Sequence, residues 1–154
     1  MPVTSSTRVI VPGWLPVTGL LLAATGAAVS AYLTVEHFTG SASLACPDRG
    51  AVDCVKVTTS AQSTVFGVPV ALLGLLFYLA VLPLLLPAAW RHPRAWPGRL
   101  RLAAVTSGIM FVLYLLYAEL FLIGSICLWC TAVHAITAAL FAVVLLGGAL
   151  IERP

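Results

Sequence analysis

"MFVLYLLYAELFLIGSICLWCTAVHAITAALFAVVLLGGALI", residues 110–151, is two apolar runs that meet at Cys127-Leu128-Trp129-Cys130. A hydrocarbon core of about 30 Å is crossed by roughly 20 helical residues, and each run is that long. A single segment of this length satisfies its own backbone groups in lipid only as a helix. The stretch therefore predicts two spans joined by a short turn, with two thiols at the head of the second. Two similar runs lie upstream, so four spans are expected at about 14–35, 67–86, 102–124 and 128–150. Pro69 falls in the first turn of the second run, where a missing N–H costs little, and Pro83 should kink or end it.

Composition agrees. Of 154 residues, 61% are hydrophobic and 8% charged. A soluble domain carries about 25% charged residues. The expectation is an all-α membrane protein, a bundle of four transmembrane helices forming one domain over 1–154. The net charge of +3 leaves no basic face beyond what topology needs, which argues against nucleic acid as a partner. Arg8, the first run and "AAVSA" also resemble a secretory signal, but the run exceeds the usual apolar core of about 7–15 residues. It is read as a retained span.

Positive charge orients the chain. "RHPRAWPGRLR" holds Arg91, Arg94, Arg99 and Arg101 in the loop 87–101, and Arg8 and Arg153 flank the chain ends. The loop 36–66 has only Arg49 and Lys56. The arginine loop and both termini are thus expected in the cytoplasm, and the loop 36–66 outside the inner (plasma) membrane. All four cysteines then lie on the oxidising side, where disulfides persist. They form two pairs, Cys46 with Cys54 at C-x7-C and Cys127 with Cys130 at C-x2-C.

As structural staples these pairs are uneven, because C-x-x-C closes a very short loop and removes little unfolded-state entropy. An all-thiolate zinc site wants paired short spacings, and C-x7-C is wide. Haem attachment needs His after the second Cys, where Thr131 stands. A redox pair fits better. Residues i and i+3 at a helix start are close enough to bridge, and the helix amino terminus stabilises a thiolate at Cys127. Below it, Cys130, Thr131, His134 and Thr137 share a helical face with Cys127. Such a polar stripe in lipid should face the bundle interior. Glu119, near the same depth on the preceding span, is placed to pair with His134 or bridge to the outer loop. A dithiol over an apolar interior with a hydrogen-bond donor suits a bilayer-soluble two-electron acceptor, a quinone.

Three stretches carry a resemblance: the loop pair "CPDRGAVDC", then "TSAQSTVFGVPVALLGLLFYL", then "YLLYAELFLIGSICLWC". In that order, loop pair first and CxxC last, the chain resembles the bacterial homologues of vitamin K epoxide reductase. The disulfide bond formation protein B family has similar chemistry in the reverse order. The resemblance implies a four-helix bundle around a quinone, lidded by a short half-helix over 55–64 that lies at the outer membrane surface. It implies Cys127 and Cys130 as the active-site pair, with Cys130 towards the quinone, and Cys46 and Cys54 as a shuttle. Either of the loop cysteines can be the one that meets Cys127. The family's ring pocket maps onto Ser63, Phe66, Leu115, Glu119, Ile123 and His134.

The vertebrate enzymes have asparagine at the position of Ser63 and tyrosine at that of His134, which tells against epoxide reduction here. The implied function is a thiol:quinone oxidoreductase that supports disulfide formation in exported proteins. Vitamin K quinone or epoxide reduction is the alternative in the same fold, and a structural membrane protein with inert disulfides the alternative of another class. Many bacterial members carry a thioredoxin-like domain on the same chain. None follows the bundle here, so the electron donor is expected to be a separate thioredoxin-fold (DsbA-like) protein. Richness in Ala, Arg, Pro and Gly suggests a high-GC bacterial source, and so menaquinone rather than ubiquinone.

Overall fold

The computed structural model describes residues 11–40, 43–47 and 49–151. Arg8 and Arg153, which the charge-based orientation uses, lie outside them. Among the described residues six helices form, in the order α1 (Trp14–Phe38), α2 (Cys54–Thr58), α3 (Val70–Leu85), α4 (Pro87–Trp90), α5 (Trp96–Tyr117) and α6 (Leu128–Leu150). A π-helical turn, Ala118–Ile123, extends α5. A hairpin of β1 (Thr64–Val65) and β2 (Val68–Pro69) precedes α3. Among the described residues, three helices are long and apolar enough to cross a membrane: α1, α5 with its π turn, and α6. Apolar α3 is shorter, at 16 residues.

The boundaries depart from the expected spans for local reasons. The first helix runs to Phe38, so Glu36 belongs to it and not to the loop. Its buried carboxyl accepts from the Ser43 hydroxyl at 2.6 Å, which lets a charged residue stay inside the packed helix end. At α3, Pro69 is the cap and not part of the first turn. The helix stops at Leu85, two residues after Pro83. Leu86 is extended (φ −58°, ψ 145°), as the residue before Pro87 should be, and Pro87 then opens α4.

The fifth helix begins at Trp96, inside the stretch read as loop. Pro97 sits in its first turn, where no N–H is needed. Arg101 is therefore helical and buried. Its Nη1 donates to the Leu84 carbonyl at 3.0 Å, and its guanidinium lies 3.4 Å from the centroid of the Trp90 ring. One residue of the arginine cluster thus closes the end of α3.

Close approach of α1, α3 and α6 rests on small residues, as in other lipid-embedded bundles. A Cβ on Gly26 of α1 would run into the Tyr78 ring of α3. Tyr78 is fully buried, and its hydroxyl donates to the Val133 carbonyl of α6 at 3.2 Å and shares a 2.8 Å hydrogen bond with Thr137. One tyrosine therefore links three helices. "AAVSA" (27–31) lies within α1, where Ser30 is buried. The main core cluster runs from Tyr78 towards the arginine end, through Val81, Leu85, Leu15 and Trp90. At the other end the chain builds something different.

Candidate functional site

The loop after α1 carries the Cys46–Cys54 disulfide, with Cα atoms 6.1 Å apart. Main-chain contacts tie that loop to the segment before Cys127. Ile126 N–H donates to Ala51 O at 2.8 Å, and Asp53 N–H donates to Ile126 O at 3.1 Å. Two aromatic residues grip the loop's other arm. Trp129 Nε1 donates to Ala45 O at 2.9 Å, and Ala45 N–H donates to the Tyr32 hydroxyl at 3.1 Å. The two rings meet edge-on at 5.1 Å. The loop disulfide is thereby held over the C-x-x-C pair. Cys54, Val57 and Cys127 form one buried cluster, with Cys46, Cys130, Ile123 and Trp129 packed around it.

The lid is not the single half-helix expected over 55–64. The five residues of α2 are followed by a 3₁₀ turn, Ala61–Ser63, and then by β1. Its hydroxyls bond back to carbonyls three or four residues earlier: Thr59 to Val55 at 2.7 Å, Ser60 to Val57 at 2.7 Å, and Ser63 to Ser60 at 2.7 Å. Such side chains offer the backbone an alternative to helix, and here they end it.

Cys127 and Cys130 are both free thiols. Cys127 is the N-cap of α6, with extended backbone, and its Sγ accepts the Cys130 N–H at 3.2 Å. A hydrogen bond from the Cys130 thiol, opposed in part by burial, holds the Cys127 thiol below its ordinary value. The two sulfurs face different surroundings. Cys127 packs in the cluster with Cys54, whereas Cys130 lines a cavity of about 320 Å³ between α1, α3, α5, α6 and the segment 57–63.

Ser63, Leu115, Glu119, Ile123 and His134 line this cavity with Cys130. Phe66 does not. It is fully exposed at the hairpin tip, with φ 51°, beside Gly67 at φ 79°. A two-residue turn of this hand needs positive φ at both positions, and the turn directs Phe66 away from the bundle. Thr131 also leaves the expected stripe. Neighbours in sequence stand about 100° apart round a helix, and the inward face runs through Cys130, His134 and Thr137. Thr131 is exposed and its hydroxyl donates to Cys127 O at 2.9 Å.

The suggested Glu119–His134 pair is not formed. The Glu119 carboxyl instead receives the Cys127 backbone N–H, and His134 Nδ1 is buried without a partner. The π turn carries this part of the wall. Ala118 and Glu119 are buried while Leu120, Phe121 and Leu122 face outward. Gly124, in the left-handed region at φ 67°, then turns the chain and donates to Glu119 O. Sequence reasoning missed the polar rim of the cavity, His37, Ser60 and Gln62, and Tyr78 in its wall. The polar run "TSAQST" beside an apolar span was the available signal for Ser60 and Gln62. Among the described residues, no group of three or more His, Cys, Asp or Glu side chains is gathered as a metal would require.

The vitamin K epoxide reductase family model matches residues 17–145. That range contains all four cysteines and every site residue named from the sequence.

Proposed function

The chain belongs to the vitamin K epoxide reductase family, and from that premise we propose that it is a thiol:quinone oxidoreductase serving disulfide formation. The proposal takes the helices α1, α3, α5 and α6 as four spans of one domain in the inner membrane. Both termini are cytoplasmic and the cysteine end faces outward. The arginine loop supports this orientation, and the apolar composition supports the membrane setting.

The observation that carries the reading is the placement of the two thiols. Cys127 abuts the loop disulfide and Cys130 lines the cavity, so the pair bridges the two. Electrons then follow three balanced exchanges. A reduced thioredoxin-fold partner opens the Cys46–Cys54 bond and leaves as its own disulfide. The loop dithiol reduces the Cys127–Cys130 disulfide and closes again. The Cys127/Cys130 dithiol closes to a disulfide and gives up two electrons and two protons. A quinone in the cavity supplies the sink for them. Of the loop cysteines, Cys54 is the one that meets Cys127, because both are buried in one cluster while Cys46 is the more open. Cys46 is then the sulfur the partner attacks. The first two transfers are thiolate attacks on disulfides, and a lowered Cys127 value favours departure of that sulfur when the loop bond closes again.

The cavity suits such an acceptor. Ligand pockets are typically about 300–1,000 Å³ and apolar, with few polar groups, and this one is near the lower bound at about 320 Å³. His134 Nδ1 is an orphaned buried group in its wall that a ring oxygen would satisfy. Ser63 has its hydroxyl committed to Ser60 O, which leaves His134 as the principal donor.

The test is purified protein in nanodiscs with a reduced thioredoxin-fold donor and a menaquinone analogue. Quinol formation matched by donor oxidation is expected. Cysteines that stay locked in disulfides under mild reductant, with no quinol formed, would make the protein an inert scaffold instead.

A further inference from the structure

Quinone reduction moves protons as well as electrons, and the cysteine pair alone gives no route for them. The two sulfurs face apolar packing on most sides: Val57 and Ile123 at the cluster, and Val133 and Leu115 in the cavity wall. Tyr78 has its hydroxyl committed to Val133 O and Thr137. Beside His134, already placed as the donor to a ring oxygen, one carboxyl breaks this pattern. Glu119 is buried, lines the cavity beside Cys130, and takes the Cys127 backbone N–H. It is near enough to act electrostatically on both sulfurs. A carboxyl can receive one proton and release it, which none of its apolar neighbours can do. The π turn that carries it matters too, since such turns are uncommon and often occur at functional sites.

We propose that the Glu119 carboxyl carries one of the two protons released by the Cys127/Cys130 pair to the acceptor in the cavity. The inference rests on the quinone-reducing reading above. The step balances: the two thiols lose two protons and two electrons as the S–S bond forms, and the quinone gains both pairs as it becomes the quinol. Glu119 takes a proton from the Cys127 Sγ side, passes it to a ring oxygen on the cavity side, and ends unchanged.

The experiment uses the full chain in nanodiscs with two readouts. The first is quinol formation from a menaquinone analogue by the pre-reduced protein, without donor. Glu119→Gln keeps an acceptor for the Cys127 N–H but cannot carry the proton. It should slow the reaction about 100-fold, the low end of general acid–base contributions. Glu119→Asp should recover part of the rate. The second readout needs no quinone. The infrared difference spectrum between dithiol and disulfide states should contain a carboxyl band that is lost in Glu119→Gln and displaced in Glu119→Asp. If Glu119→Gln misfolds, Glu119→Asp and the band in the unaltered protein still decide the matter. Wild-type rate in Glu119→Gln, or no carboxyl band on oxidation of the pair, overturns the proposal while leaving the functional reading intact. An unaltered protein that forms no quinol overturns both.

Discussion

The fifth helix and its π turn bury an ionisable side chain near each end, and the two are used in opposite ways. At the arginine end, Arg101 closes a helix. Pro87 cuts α3 short, and the stranded carbonyls find donors in Arg101 Nη1 (Leu84 O) and Trp90 Nε1 (Leu85 O). The guanidinium stacks on the same indole. At the cysteine end, Glu119 closes nothing. It borders a cavity and touches the amide of a thiol residue. Helix ends leave carbonyls that must be satisfied somewhere, so a buried cation beside one is absorbed by the fold. A buried acid, or an imidazole such as His134, that faces a cavity keeps bonding capacity for something else. Both are polar residues in an apolar bundle, and only their surroundings separate structure from chemistry.

Substitutions at the two ends should therefore fail in different ways. The largest effect is expected at Cys130, the sulfur on the cavity side. Cys130→Ser should reduce quinol formation to background while thermal stability stays near wild type. Near-normal turnover would remove the C-x-x-C pair from the electron route. Next comes His134→Phe, which keeps bulk and removes the donor. Losing a net hydrogen bond of about 1.4 kcal/mol corresponds to roughly 10-fold in rate. Exchange between the two cysteine pairs, followed by thiol trapping, should survive, and tyrosine at 134 should restore part of the turnover.

A smaller effect is expected at the clamp on the loop. Trp129→Phe keeps a ring against Tyr32 but loses the bond to Ala45 O, worth about 1 kcal/mol. Exchange from the loop pair to Cys127 should slow roughly 5-fold by the corresponding rate relation. An unchanged exchange rate would mean that the main-chain ties at Ile126 hold the loop alone. At the opposite end, Arg101→Met leaves the Leu84 carbonyl without its donor, at a cost of about 1–3 kcal/mol seen in denaturation. Turnover measured well below the melting range should stay within about 2-fold of wild type. A loss of turnover without loss of stability would break the comparison.

The finest effect concerns pH. The thiolate is the reactive form, and an ordinary cysteine titrates near about 8.5. The Cys127 value is lowered, chiefly by the Cys130 thiol. Its thiolate should therefore appear at lower pH than an ordinary thiol's and be lost only as pH falls through that lower midpoint. Ultraviolet thiolate absorbance of the reduced protein, with Cys127→Ser as the blank, measures this. Cys130→Ala should move the midpoint upward.

Much of this was present in the chain read by itself. Apolar length predicts helices because lipid leaves a lone segment no other way to satisfy its backbone. The i, i+4 relation puts His134 on the face of Cys130 because both lie in one unbroken helix. The two cysteine pairs follow from spacing alone. What the sequence could not determine depends on contacts between distant residues or on a local turn of the backbone. Hydropathy averages over a window, so it read Glu36 and Arg101 as loop charges. Partners at Ser43 and Leu84 place both inside packed helices. The Ala45 carbonyl meets Trp129 across 84 positions, and that bond, with the main-chain ties at Ile126, brings the loop disulfide over Cys127. Phe66 needed the backbone of a tight turn to be seen facing outward. Glu119 stands on the cavity face that helical counting from Leu115 gives, but its bond to the Cys127 N–H needed the turn at Gly124 to be seen. Local periodicity can be read from a string of residues, but which buried group keeps a free valence is decided only when all its neighbours are in place.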